Sequence, residues 1–142
     1  MPTAIIADDE RLMRDQLRLR LGQAWPELEI IGEAKNGDEA IELVEQLKPD
    51  FAFLDIRMPG KTGMEAAQVI GGKTHIVFVT AYDTHAVEAF ERGAVDYVLK
   101  PPEHERLLVT VERLKTHLNK PALDANSSVT AMLSQLAEKI TA

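Results

Sequence analysis

Apolar residues gather in five short, nearly unbroken runs: TAIIAD (Thr3 to Asp8), LEIIGEA (Leu28 to Ala34), DFAFLD (Asp50 to Asp55), THIVFVT (Thr74 to Thr80) and AVDYVLK (Ala94 to Lys100). Runs of this length, rich in Ile, Val and Phe, predict strands. Between them the apolar positions spread to helical spacing, as in Met13, Leu17, Leu21 and in Ala40, Ile41, Val44, Leu47. Each such stretch is entered through a polar or acidic residue and predicts an amphipathic helix. A fifth helix follows Pro101 and Pro102, from Glu103 to Leu118, with Leu107, Leu108, Val111, Leu114 and Leu118 on its inner side. Strand and helix alternating over about 120 residues build βαβ units, which predicts an α/β fold with a doubly wound parallel sheet and helices on both faces.

Polar interruptions order the strands. Central parallel strands are buried on both faces and read as continuous apolar runs, whereas edge strands tolerate polar residues. TAIIAD, FAFLD and HIVFVT are nearly continuous, while Glu29, Glu33 and Asp96 interrupt the second and fifth runs. The predicted five-stranded order is therefore 2-1-3-4-5, the flavodoxin-like arrangement. Past Leu118, NKPALDANSS (Asn119 to Ser128) is rich in turn formers and predicts a linker. Val129 to Ala142 then carries Met132, Leu133, Leu136 and Ile140 at helical spacing. The expected organisation is one domain over 1–118, a linker over 119–128, and a helix over 129–142 leading toward a missing effector domain.

Composition narrows the chemistry. With 142 residues, 45% of them hydrophobic, the chain supports one compact domain and not two large ones. The absence of cysteine excludes disulfides, thiolate zinc sites and cysteine nucleophiles. His75, His85, His104 and His117 are scattered and form no ligand pair, so they read as surface or strand-end residues. The net charge is -7, from 16 basic and 23 acidic residues, and no Lys/Arg-dense run offers a direct nucleic-acid surface. No apolar run approaches the roughly 18 residues of a membrane span, and the opening MPTAIIADDE lacks the pattern of a signal peptide. A soluble cytoplasmic protein with no membrane partner is expected.

In open α/β sheets, ligands bind outside the carboxyl ends of the strands. At those ends stand Asp8-Asp9-Glu10, Asp55, Thr80-Ala81 and Lys100. Singly, each has a plain structural explanation: Asp8 or Asp9 can cap a helix, and Thr80 can simply end a strand. Together they crowd three carboxylates onto one rim, where like charges repel and destabilise the fold unless a cation neutralises them. An all-oxygen donor set points to Mg²⁺, a hard ion that keeps waters and bridges carboxylates to phosphate oxygens. Asp55, at the mouth of an apolar strand and followed by Pro59-Gly60, is placed as a nucleophile. A carboxylate attacking phosphorus gives an acyl phosphate, and Lys100 and Thr80 are placed to neutralise the transferring group.

These residues carry a resemblance. ADDE, FLDIRMPG, FVTAYD and AVDYVLKP resemble the receiver domain of two-component response regulators (CheY-like) over about residues 1 to 120, and FLDIRMPGKTG with VTAYDTHAVEAFERGAVDYVLKP is similar to receivers of the LytTR class. The resemblance implies that Asp55 is the phosphoacceptor, that Asp9, Asp55 and the Arg57 backbone carbonyl bind Mg²⁺, and that Asp8 acts mainly through water. It implies that Lys100 holds the phosphoryl group or its counter-charge, that Thr80 and Tyr97 form a switch pair, and that the Lys100-Pro101 bond is cis. Pro102, which doubles the proline, departs from the family pattern. The implied donor is a sensor histidine kinase. The implied output is transcription through a missing C-terminal DNA-binding domain, with a free-standing receiver acting by protein contact as the alternative. The expected assembly is a homodimer formed on phosphorylation, meeting through Ala86, Val87, Ala89 and Phe90.

An aspartyl phosphatase of the haloacid-dehalogenase type would need a second Asp two residues after the first, where this chain has Arg57. A dinucleotide site would need glycines after strand 1, where the chain reads ADDERLM. Arg11, Arg14 and Arg18 share a helical face beside the acidic rim and read either as a solvated face or as a kinase contact. Trp25, before Pro26, is expected to cover the exit of the first helix.

Overall fold

A computed structural model describes residues 1–81, 89 and 93–118 of the chain. Five strands, β1 (Thr3–Ala7), β2 (Glu29–Ala34), β3 (Phe51–Leu54), β4 (His75–Thr80) and β5 (Ala94–Leu99), form one sheet in the order β2-β1-β3-β4-β5. Every neighbouring pair is parallel. The helices are α1 (Arg11–Ala24), α2 (Gly37–Leu47), α3 (Gly63–Ile70), which runs into a 3₁₀ turn (Gly71–Lys73), and α4 (His104–His117). α4 is the helix that the sequence places fifth. The run expected to form the fourth helix, most of the predicted dimer contact (Ala86, Val87, Phe90), and the segments 119–128 and 129–142 lie outside the described residues.

Side-chain alternation divides the core into two layers. Ile5, Ala52, Leu54, Ile76 and Phe78 face α2 and α3, while Ala4, Ile6, Phe51, Phe53, Val77 and Val79 face α1 and α4 with Leu17, Leu21, Leu107, Val111 and Leu114. β5 carries one extra residue relative to β4, since Ile76 pairs with Ala94 and Val77 with Asp96. The bulge lets Asp96 and Val98 turn toward α4 while Tyr97 joins the opposite layer. Trp25 is buried beneath the end of α1 with its ring 5.6 Å from Phe51, as expected.

Several expectations need correction. β5 is an edge, yet Asp96, whose polarity marked it as one, is only 1% exposed and pairs with α4; Leu99 is the exposed residue of that strand. Leu108 is exposed, and the inner stripe of α4 runs through Leu107, Thr110, Val111 and Leu114. Thr110 takes that place because its hydroxyl donates to Asp96 at 2.6 Å, a pairing that apolar periodicity does not register. Leu47, the last residue of α2, is exposed where the chain turns away through a left-handed Lys48. Ala89 is fully buried, so it offers no surface for a second copy. His75, by contrast, stands at a strand end as expected, buried at the start of β4 with its ring near those of Phe51 and His117.

Candidate functional site

β1 and β3 lie side by side and end level, with Ala7 opposite Leu54. The next residue of each strand is therefore an aspartate beside an aspartate, and the Asp55 N–H donates to the Ala7 carbonyl at 2.9 Å. β5 ends two strands away, where the Lys100 N–H donates to the Thr80 carbonyl at 2.8 Å. From there the Lys100 side chain crosses the end of β4, and its ammonium contacts Asp8 Oδ2 at 2.5 Å and Asp55 Oδ2 at 2.9 Å. The second oxygen of each carboxylate is held by backbone: Asp8 Oδ1 accepts from the Glu10 N–H at 2.9 Å, and Asp55 Oδ1 from the Ile56 N–H at 2.7 Å.

Asp9 completes the group. It is exposed, and one oxygen from each of Asp8, Asp9 and Asp55 lies within 4.8 Å of the others. The crowd is not left wholly to an external cation, because the chain's own Lys100 already bridges two of the three carboxylates. Among these four side chains the carboxylates still outnumber the ammonium by two, in a donor set made only of oxygens. That charge and that chemistry fit a hard divalent cation. Burial works against the Lys100 ammonium, but its hydrogen bonds to Asp8 and Asp55 outweigh burial and hold its pKa above the usual lysine value.

Asp9, Asp55, Arg57, Ala81 and Lys100 line an open cleft of about 610 Å³. Asp55 is buried on its floor, and Asp8 is buried beside it, joined to it through Lys100. The structure thus brings Asp8, Asp9, Asp55 and Lys100 together, with Arg57 on the wall. Thr80 is fully buried at the end of β4, and Tyr97 is buried with its ring 6.4 Å from Phe78. The Lys100-Pro101 peptide is cis. Pro102 is buried, lining a small void with Met13, Leu17 and Lys100.

Residues that sequence reasoning passed over shape the rim. A Cβ at Gly63 would stand 2.0 Å from the Asp55 carbonyl oxygen, so only glycine allows α3 to start directly against the strand end. Its N–H donates to the Ile56 carbonyl at 2.7 Å, and a capping box between Thr62 and Glu65 fixes the helix start. Gly37, opening α2, also comes close to the Lys61 carbonyl, where a Cβ would stand 2.4 Å away. A glycine at the first position of each helix, directly after a good N-cap, is the signal that was available, since glycine is a poor helix former. Arg14 and Arg18 do not form a free solvated face. Arg14 Nε donates to Glu33 Oε1 at 3.0 Å, and Arg18 reaches Glu33 Oε2 through Nε at 3.0 Å and Nη2 at 2.5 Å. Burial raises the Glu33 pKa, but the hydrogen bonds from Arg18 and Arg14 outweigh it and hold that carboxyl below its ordinary value. Arg11, 85% exposed in its side chain, has only a 3.9 Å approach to Asp15.

The chain is similar to known proteins. The family described as the response regulator receiver domain matches residues 4–112. An uncharacterised response regulatory protein of Vibrio cholerae is 42% identical over 142 residues, covering 98% of this chain and 54% of the relative. The transcriptional regulatory protein BtsR of Salmonella typhi is 44% identical over 122 residues, covering 84% and 51%. Among solved structures, the response regulatory domain of mrkE from Klebsiella pneumoniae superposes with a TM-score of 0.75 at 36% identity, covering 83% of this chain and 98% of that one. The chain spans about half the length of the curated relatives it matches.

Proposed function

Because the chain belongs to the response regulator receiver domain family, we propose that Asp55 accepts a phosphoryl group from a phosphohistidine of a sensor kinase and that the resulting change is read by a transcriptional output. One observation carries this reading: Asp55 sits on the cleft floor with one oxygen held by backbone and the other held by an ammonium that also holds Asp8. An Asp55 carboxylate oxygen forms the new bond to phosphorus as the bond from phosphorus to the histidine nitrogen breaks. The electron pair of that bond stays on the imidazole. Loose phosphoryl transfer needs positioning and charge neutralisation more than covalent help from the protein. Lys100 moves its charge from the free carboxylate to the phosphoryl oxygens.

Asp8, Asp9, Asp55 and the Arg57 carbonyl are the groups that would hold Mg²⁺, and a bound Mg²⁺ supplies the remaining neutralisation at the phosphoryl oxygens. Thr80 and Tyr97 form the switch: the Thr80 hydroxyl turns toward the new phosphoryl oxygens, and Tyr97 moves into the space left behind. The run from FLDIRMPGKTG to DYVLKP supports placing the chain with LytTR-class receivers, whose output is a DNA-binding domain. Similarity to a transcriptional regulatory protein supports that output. Beryllofluoride with Mg²⁺ tests the site: it should raise the melting temperature of the wild type and leave Asp55→Asn unmoved. An equal rise in both proteins would refute Asp55 as the acceptor.

A further inference from the structure

Among the described residues, Asp9 is the one member of the acidic group whose side chain makes no hydrogen bond or ion pair. Asp8 is fixed through its N–H to the Ala34 carbonyl at 3.0 Å and through its carboxylate to Glu10 and Lys100. Among the described residues, Asp9 takes its direction from the backbone, that is, from the plane of the peptide bond joining it to Asp8. One side chain holds that plane: Arg14 Nη1 donates to the Asp8 carbonyl oxygen at 2.7 Å. Peptide planarity means that fixing this oxygen also fixes the Asp9 N–H and Cα.

We propose that Arg14 is a positioning residue for the metal site, setting the Asp8–Asp9 peptide so that the Asp9 carboxylate faces Asp55 before any cation arrives. The inference rests on the proposed Mg²⁺ reading and goes beyond it, since Arg14 touches neither metal nor phosphoryl group. The arrangement needs arginine in particular. One face of the guanidinium is clamped to Glu33 on β2 while another nitrogen reaches the Asp8 carbonyl, and a rigid fork makes both bonds at once where an ammonium cannot. Glu33 is thereby the anchor, tying the loop after β1 to the neighbouring edge strand. Arg18 shares Glu33 but makes no bond to the loop, and its side chain is 44% exposed against 16% for Arg14. The two arginines therefore separate ion pairing with Glu33 from placement of Asp9.

Titration of the metal-free protein with Mg²⁺ alone, read by calorimetry and paired with melting curves in chelator, tests the proposal. Arg14→Ala and Arg18→Ala should both melt slightly lower than wild type, because each loses a Glu33 partner. Only Arg14→Ala should bind Mg²⁺ more weakly, by about tenfold, the usual scale for losing a group that orients a metal ligand. Arg18→Ala should bind as wild type does. Arg14→Lys keeps the charge beside Glu33 and hence the fold, yet should still bind Mg²⁺ more weakly for want of the second donor. Unchanged affinity in Arg14→Ala or in Arg14→Lys, or equal weakening in Arg18→Ala, would overturn the role given to Arg14. Wild-type protein that takes up no Mg²⁺ would instead overturn the metal reading itself, and this inference with it.

Discussion

Asp96 carries a charge inside the molecule and keeps it by being fully paired. Its Oδ1 accepts from Arg106 Nη2 at 2.8 Å, Arg113 Nη1 at 2.7 Å and the Tyr97 N–H at 2.8 Å, and its Oδ2 accepts from Arg106 Nη1 at 2.9 Å and Thr110 at 2.6 Å. Burial raises its pKa, but the hydrogen bonds from Arg106, Thr110 and Tyr97 outweigh burial and leave it below the ordinary aspartate value. The stability this pairing contributes is present above the unfolded aspartate pKa of about 3.9 and is lost as pH falls through the lower folded value. Asp96→Asn should therefore cost about 2 kcal/mol at neutral pH, a scale typical of hydrogen bonds to a buried charge. In urea denaturation the gap between variant and wild type should close as the wild-type carboxyl protonates in acid, and a gap constant with pH would contradict the account. This residue also marks the limit of pattern reading. A polar residue in a strand signals an edge only if it faces water, and its partners at positions 106, 110 and 113 are visible only once α4 is folded over β5.

Elements were legible where burial is apolar. All five predicted strands and the helices at residues 11–24, 37–47, 63–70 and 104–117 form, and the strand order follows from which runs lack polar interruptions. Less legible was how closely one element approaches another, because that depends on a missing side chain. Gly63 and Gly22 illustrate the contrast. A Cβ at Gly63 collides with the Asp55 carbonyl, whereas at Gly22, inside α1, nothing lies within 4 Å. Gly63→Ala should destabilise the domain by about 1–3 kcal/mol, as overpacking does, and should displace the backbone of Asp55. Gly22→Ala should stabilise it by about 0.5–1 kcal/mol through helix propensity alone. Urea midpoints that move the same way for both substitutions would contradict this assignment.

On the scale of the whole molecule, the candidate site joins three strand ends by charge, so the fold and the proposed metal site share one electrostatic problem. Lys100 solves part of it without metal. Its raised pKa means that its contribution is fully present below the unfolded lysine value of about 10.4 and is lost as pH rises through the higher folded value. Mg²⁺, binding only the native state, should stabilise wild type by about 2.7 kcal/mol at a hundred times its dissociation constant. Lys100→Ala should melt below wild type in chelator, because Asp8 and Asp55 then face each other unscreened, and should gain more from saturating Mg²⁺ than wild type does. Equal gains would show that ammonium and metal do not serve the same carboxylates. The convergence of Asp8, Asp9, Asp55 and Lys100 was legible because the topology brings strand ends together; the bridging of Asp8 and Asp55 by Lys100 was not, since it depends on a side chain spanning a strand.

Phosphorylation of Asp55 itself is tested most directly by the intact mass of the whole chain after exposure to a small acyl phosphate donor. With Mg²⁺, wild type should gain the mass of one phosphoryl group, removable by hydroxylamine; with chelator, or in Asp55→Asn, it should gain none. Labelling of Asp55→Asn to the same extent as wild type, or labelling indifferent to Mg²⁺, would contradict the account.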